Sequence, residues 1–119
     1  MIQLTTIPAL IATAPHLFLV PGGPGLSSMT LRTFDVLSRS FNLHYVDFPG
    51  TNGNPLSRNY LFRELADALT SEIKKMDGPK FILGHSYGGF HAVFVANQRS
   101  VDGVICLATP LSVDALGEV

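Results

Sequence analysis

The stretch FILGHSYGGFHAVFVAN, residues 81–97, decides how this chain is read. Its centre, Gly84-His85-Ser86-Tyr87-Gly88, has the form G-x-S-x-G. An apolar run leads into it and an apolar helical pattern leads out. That is the strand–turn–helix setting in which a serine is held on a sharp turn as a nucleophile. The glycines have a steric reason. Ser86 must hold a strained conformation in a tight turn, so side chains at Gly84 and Gly88 would clash, and Gly89 lets the helix approach the sheet. The amides that open the helix favour negative charge beside Ser86.

Short Gly/Ser patterns recur by chance, and a plain glycine turn is the alternative. An upstream feature favours the nucleophile. PGGPG (Pro21, Gly22, Gly23, Pro24, Gly25) follows the apolar run HLFLV. A hydrolytic serine needs two backbone N–H donors for its oxyanion. The amide of Tyr87 supplies one. Gly23 is expected to supply the other, because a glycine can turn its N–H inward with no side chain in the way.

Working outward, four short apolar runs read as buried strands: HLFLV (His16–Val20), NLHYVDF (42–48), KFILG (80–84) and GVICLA (103–108). Three helical patterns lie between them. Leu31, Phe34, Leu37 and Phe41 form the first, with Ser27 or Ser28 as N-cap. Phe62, Leu65, Leu69 and Ile73 form the second, stopped by Gly78-Pro79. The third, about 88–98, is apolar nearly all round and so packs inside a larger body. The alternation predicts an α/β fold, a mostly parallel sheet with flanking helices. Residues 1–119 form a single partial domain with its core in 16–110 and a short edge hairpin in 1–15. Functional loops gather at the carboxyl ends of such strands. That puts PGGPG, DFPGTNGNP, GHSYGG and ATPLS on one rim.

Hydrophobic residues make up 46% of the chain and charged residues 14%, against about 25% charged in an ordinary soluble domain. Either much of the chain is buried or part of its apolar surface is covered by something else. The net charge of −1 offers no basic patch for nucleic acid. The adjacent pair Lys74-Lys75 reads as a solvated face at a helix end. No Lys or Arg occurs in the first 31 residues and Pro8 breaks the apolar run, which argues against a signal peptide. No apolar run approaches a membrane span. The lone Cys106 is expected as a small core residue and excludes an internal disulfide. The expected location is cytoplasmic.

With FLVPGGPG, YVDFPGTNGN and FILGHSYGGF together, the chain resembles the α/β-hydrolase superfamily, most closely the branch of proline iminopeptidases and related esterases. The resemblance runs from Leu17 to Pro110. It implies the N-terminal portion of that fold, lacking the lid and last strands. It also implies a serine hydrolase that acts through an acyl-enzyme on a small ester, amide or short peptide, aminopeptidase-like in its narrowest form, with no metal or cofactor. Pro21 stands where the branch usually has a histidine that braces the oxyanion loop.

The family orders its triad as serine, acid, histidine, so this chain needs a late base. Of its four histidines, His16 and His44 belong to early strands. His85 points away from its neighbour in a sharp turn, and His91 lies on the helix. Of the later acids, Asp102 precedes its strand, while Asp114 and Glu118 have no histidine to orient. Asp47 is expected to brace the glycine loop that follows it. No convincing base or acid is found, and 1–119 alone is expected to be nearly inactive. The GVICLA strand becomes an open edge. It would pair with the C-terminal part or with a second copy, and the alternative to an enzyme is a non-catalytic module that associates through that edge. A nucleotide-binding domain is disfavoured, since PGGPG lacks the G-x-G-x-x-G spacing.

Overall fold

The structure is a computed structural model and describes residues 1–110. Five strands form one sheet in the order β1-β3-β2-β4-β5. They are β1 (Gln3–Ile7), β2 (His16–Val20), β3 (Asn42–Asp47), β4 (Lys80–His85) and β5 (Gly103–Leu107). The last four run parallel, and β1 lies antiparallel on the outer side of β3. The four apolar runs are therefore strands, with ends within a residue or so of those expected.

Residues 1–15 correct the expected hairpin. They give one strand, and it pairs with β3, placing Gln3 opposite Asp47 and Ile7 opposite Leu43. The parallel run β2–β3 occupies the other edge of each strand, so β1 meets the free edge of β3 rather than a partner within its own segment.

Each inner strand buries both faces. On β2, Phe18 and Val20 join Val46, Ile82, Leu69 and Val95 in one core. Leu17 and Leu19 join Leu43, Tyr45, Leu83 and Leu31 in the other. The split follows the two-residue period of a strand. Helices α1 (Phe62–Lys74) and α2 (Gly88–Asn97) cover the first face. The second face is covered by Ser28–Arg39, which is a 3-10 helix rather than an α-helix. The spacing explains this outcome. Leu31, Phe34 and Leu37 recur at steps of three, and three residues per turn stacks them on one side. Ser27 caps this segment by accepting from the Met29 amide at 3.2 Å.

β5 departs from the buried class. Val104, Ile105 and Leu107 are 42–50% exposed, because β4 is its only strand neighbour among the described residues. Cys106 is exposed rather than a core residue for the same reason.

Candidate active site

The chain leaves β2 toward β3 on one side of the sheet and leaves β4 toward β5 on the other. The carboxyl ends of β2 and β4 thus flank the point where strand order reverses, the usual place for a site in such sheets. Both glycine-rich loops emerge there.

Ser86 joins β4 to α2 with a φ of 52°, in the left-handed region. A non-glycine residue held there stores strain, and such strain clusters at functional positions. Neighbouring backbone holds it in place. The Ser86 amide donates to the Leu107 carbonyl at 2.8 Å, and its carbonyl accepts from the Gly89 amide at 3.0 Å and from Thr109 Oγ1 at 2.9 Å. A Cβ on Gly84 would collide with the Gly88 carbonyl, and one on Gly88 would collide with the carbonyls of Val20 and Pro21. The space beside Gly89 is filled by the Thr109 side chain. Residue pattern marked Thr109 only by its place on the rim.

The loop 21–25 presses on this turn. A Cβ on Gly22 would stand 3.0 Å from the His85 carbonyl and 3.2 Å from Ser86 Cβ. Gly23 has a φ of 119°, and a Cβ there would run into the amides of Gly25 and Leu26, so only glycine fits. Among the described residues, the amides of Gly22, Gly23 and Tyr87 donate to no backbone acceptor.

Pro21 cannot brace the loop as a histidine side chain would. The brace is Asp47, which is 1% exposed at the end of β3. Its carboxylate accepts from the Ser28 amide at 2.8 Å, from Ser28 Oγ at 2.7 Å and from Asn52 Nδ2 at 3.0 Å. One side chain thereby ties the loop after β2 to the loop after β3. The expected bracing of the glycine loop is present, and the grip on Ser28 is an addition to it.

The histidines separate. His16 Nδ1 and His44 Nε2 lie 2.8 Å apart, and Thr6 Oγ1 contacts His44 Nδ1 at 2.9 Å. His16 pairs with Asn42 and Lys80 at the amino ends of their strands, opposite the Ser86 turn. Burial, with a smaller push from His16, takes His44 down to about 4. Asp102 is at that same far end, accepting from the Lys80 amide at 2.9 Å. His85 is half-buried and its Nδ1 has no partner among the described residues. His91 is buried on α2, and desolvation takes it down to about 4. Asp114 and Glu118 lie outside the described residues. Among those described, His, Cys, Asp and Glu do not gather in a group that could hold a metal ion. No helix among them is long and apolar enough to cross a membrane.

A cavity of about 370 Å³ opens under the 21–25 loop, between α1 and the start of α2. Phe48, Tyr60, Phe62 and Tyr87 line it together with His91. The arrangement joins a strained serine, backbone amides with no backbone acceptor among the described residues, and a half-open pocket.

Comparison with known proteins agrees with this fold. The sequence profile described as "Alpha/beta hydrolase family" matches residues 17–118. No curated protein sequence matches the chain. Among solved structures, an N-formylmaleamic acid deformylase from Pseudomonas putida superposes with a TM-score of 0.77 at 23% identity, over 93% of this chain and 44% of that one. A lipase-esterase related protein from Clostridium acetobutylicum does so with a TM-score of 0.78 at 18% identity, over 93% and 49%. A proline iminopeptidase-related protein from Thermus thermophilus gives 0.71 at 21% identity, over 92% and 45%. At these identities the likeness is one of fold. The chain spans less than half the length of each of these structures.

Proposed function

The chain belongs to the alpha/beta hydrolase family, and from that premise we propose that it carries the nucleophile half of a serine hydrolase. The observation that supports this most is the left-handed Ser86 (φ 52°) between β4 and α2, packed against a glycine loop with free amides. Ser86 Oγ attacks the carbonyl carbon of a small ester or amide. The carbonyl electron pair moves onto oxygen, and the amides of Tyr87 and Gly23 stabilise that charge. The hydroxyl proton passes to a histidine oriented by an acid, both supplied by the C-terminal part. Collapse of the intermediate expels the alcohol or amine, which takes that proton, and leaves an acyl-enzyme. Water then hydrolyses it. Cleavage of an N-terminal residue from a short peptide is the narrowest form of this reading.

The test is labelling by a fluorophosphonate. The protein joined to its C-terminal part should label at Ser86, and Ser86→Ala should abolish labelling. The 119-residue chain alone should turn over esters ~10⁶-fold more slowly, since it lacks the base. Absence of labelling in the joined protein, or its persistence in Ser86→Ala, would sink the reading.

A second reading rests on a separate observation, the exposed apolar edge at β5. There the chain is a non-catalytic module that pairs with a second copy through that edge. Sedimentation would then give a dimer that Ile105→Lys converts to a monomer, with no labelling of Ser86 in either.

A further inference from the structure

We propose that Thr109 is a positioning residue that aims the Tyr87 amide at the oxyanion, and that a left-handed turn at Ala108 brings it into place. That the amide meets an oxyanion rests on the hydrolase reading above, whereas the clasp itself does not. Ser86 lies one residue past the end of β4, beside the end of β5. Its amide donates to the Leu107 carbonyl at 2.8 Å, the next step after the pairing of His85 with Leu107. In an unbroken parallel ladder the following bond would run from the Thr109 amide to the Ser86 carbonyl. A side chain takes that place instead, and Thr109 Oγ1 donates to the Ser86 carbonyl at 2.9 Å.

The backbone bends to allow it. Ala108 has a φ of 54°, in the left-handed region that a residue with a Cβ enters only at a cost. Ala108 is exposed, so burial of its side chain does not offset that cost. The residues on either side of it do, because the Leu107 carbonyl and the Thr109 hydroxyl both hold Ser86, itself left-handed at 52°. Two strained residues thus sit across from each other at the end of the β4–β5 ladder, joined through two hydrogen bonds. Gly89 completes the seat. A Cβ there would collide with Thr109 Oγ1, so the glycine leaves the space that the hydroxyl fills.

The consequence falls on Tyr87. The Ser86 carbonyl and the Tyr87 N–H belong to one planar, trans peptide unit, in which the two bonds point in opposite directions. Gripping the carbonyl from behind therefore fixes where the N–H points. That N–H donates to no backbone acceptor among the described residues. The Gly89 amide also holds the carbonyl, at 3.0 Å, but it belongs to the same turn and moves with it. Thr109 holds it from a different strand. An oxyanion donor is effective when it is aimed before the charge develops.

The test uses nitrogen-labelled protein joined to its C-terminal part. Thr109→Val removes the hydroxyl and little else. It should move the Tyr87 amide resonance and slow fluorophosphonate labelling of Ser86 about tenfold, the worth of one hydrogen bond. The loss should lie in the rate at saturating reagent and leave the affinity for the reagent unchanged, since the donor acts on the transition state. Thr109→Ser should restore both rate and resonance. At the exposed Ala108, valine resists the left-handed turn and should slow labelling by a like factor, whereas glycine accepts the turn and should not. Rates are compared where circular dichroism shows each variant fully folded, so a loss of stability alone does not register. A rate and a Tyr87 resonance unmoved in Thr109→Val, a loss confined to affinity, or equal effects of valine and glycine at Ala108 would overturn the proposal. If the wild-type protein is not labelled, the serine hydrolase reading falls, and the Tyr87 resonance still decides the clasp. A shift in Thr109→Val then keeps it, and no shift removes it.

Discussion

β2 and β5 are both five-residue apolar strands, HLFLV and GVICL, and they end in opposite surroundings. β2 has a strand on each side and helices over both faces, so Phe18, Leu19 and Val20 are fully buried. β5 has a strand on one side among the described residues, and Ile105 is half exposed. Composition alone made them alike. Position in the sheet decides how much each contributes, because apolar stabilisation follows the area removed from water. The candidate site sits between these extremes. Its serine hangs from the buried β4, and its carbonyl is clasped by Thr109, just past the exposed β5.

The largest expected effect lies where buried backbone leaves no room. Gly84→Val should cost more than about 3 kcal/mol in urea unfolding, since its side chain must displace α2. Wild-type stability in that variant would break the picture of a rigid turn. The comparison is sharpened by a matched pair. Leu19→Ala should cost about 2–5 kcal/mol and Ile105→Ala about 1 kcal/mol or less. Equal losses would mean that β5 is covered in solution.

A third effect is one of pH. His91 and His44 fall from an ordinary 6.5 to about 4 in the folded chain. Between those values the unfolded chain binds protons that the folded one refuses, so stability falls as pH drops through that window. The loss should be about 3 kcal/mol for each ring at most, and His91→Phe should remove its share. A pH-independent urea midpoint would contradict the burial of both rings. The smallest effect is at Thr109. Thr109→Val should cost about 1 kcal/mol and slow labelling of Ser86, and Thr109→Ser should restore both. Unchanged labelling in the valine variant would detach the β5 end from the site.

Much of this was legible from residue pattern. The four parallel strands, α1, α2 and the Ser86 turn follow from apolar runs punctuated by glycine and proline. The motif glycines were legible because each position excludes a side chain for a steric reason that the pattern itself encodes. The misses share a cause. Cys106 was expected in the core because GVICL reads as apolar, and a run of residues carries no record of its neighbours. The hairpin in 1–15 failed because strand pairing is set by which edge is free. The 3-10 helix was hidden because steps of three and steps of three to four look alike over a short stretch. The roles of Thr109 and Ser28, and the stacking of His91, depend on contacts between residues 19 or more apart in sequence or on aromatic stacking between separate elements.

By itself the sequence determined the class of fold, the strand–turn–helix that strains Ser86 and the glycine loop that faces it. These rest on local sterics and on periodicity, which a chain carries with it. Tertiary structure alone decided how far β5 and Cys106 are exposed, that Asp47 also grips Ser28, and where a neutral histidine lines a cavity. Those depend on distances between segments, and only packing sets them.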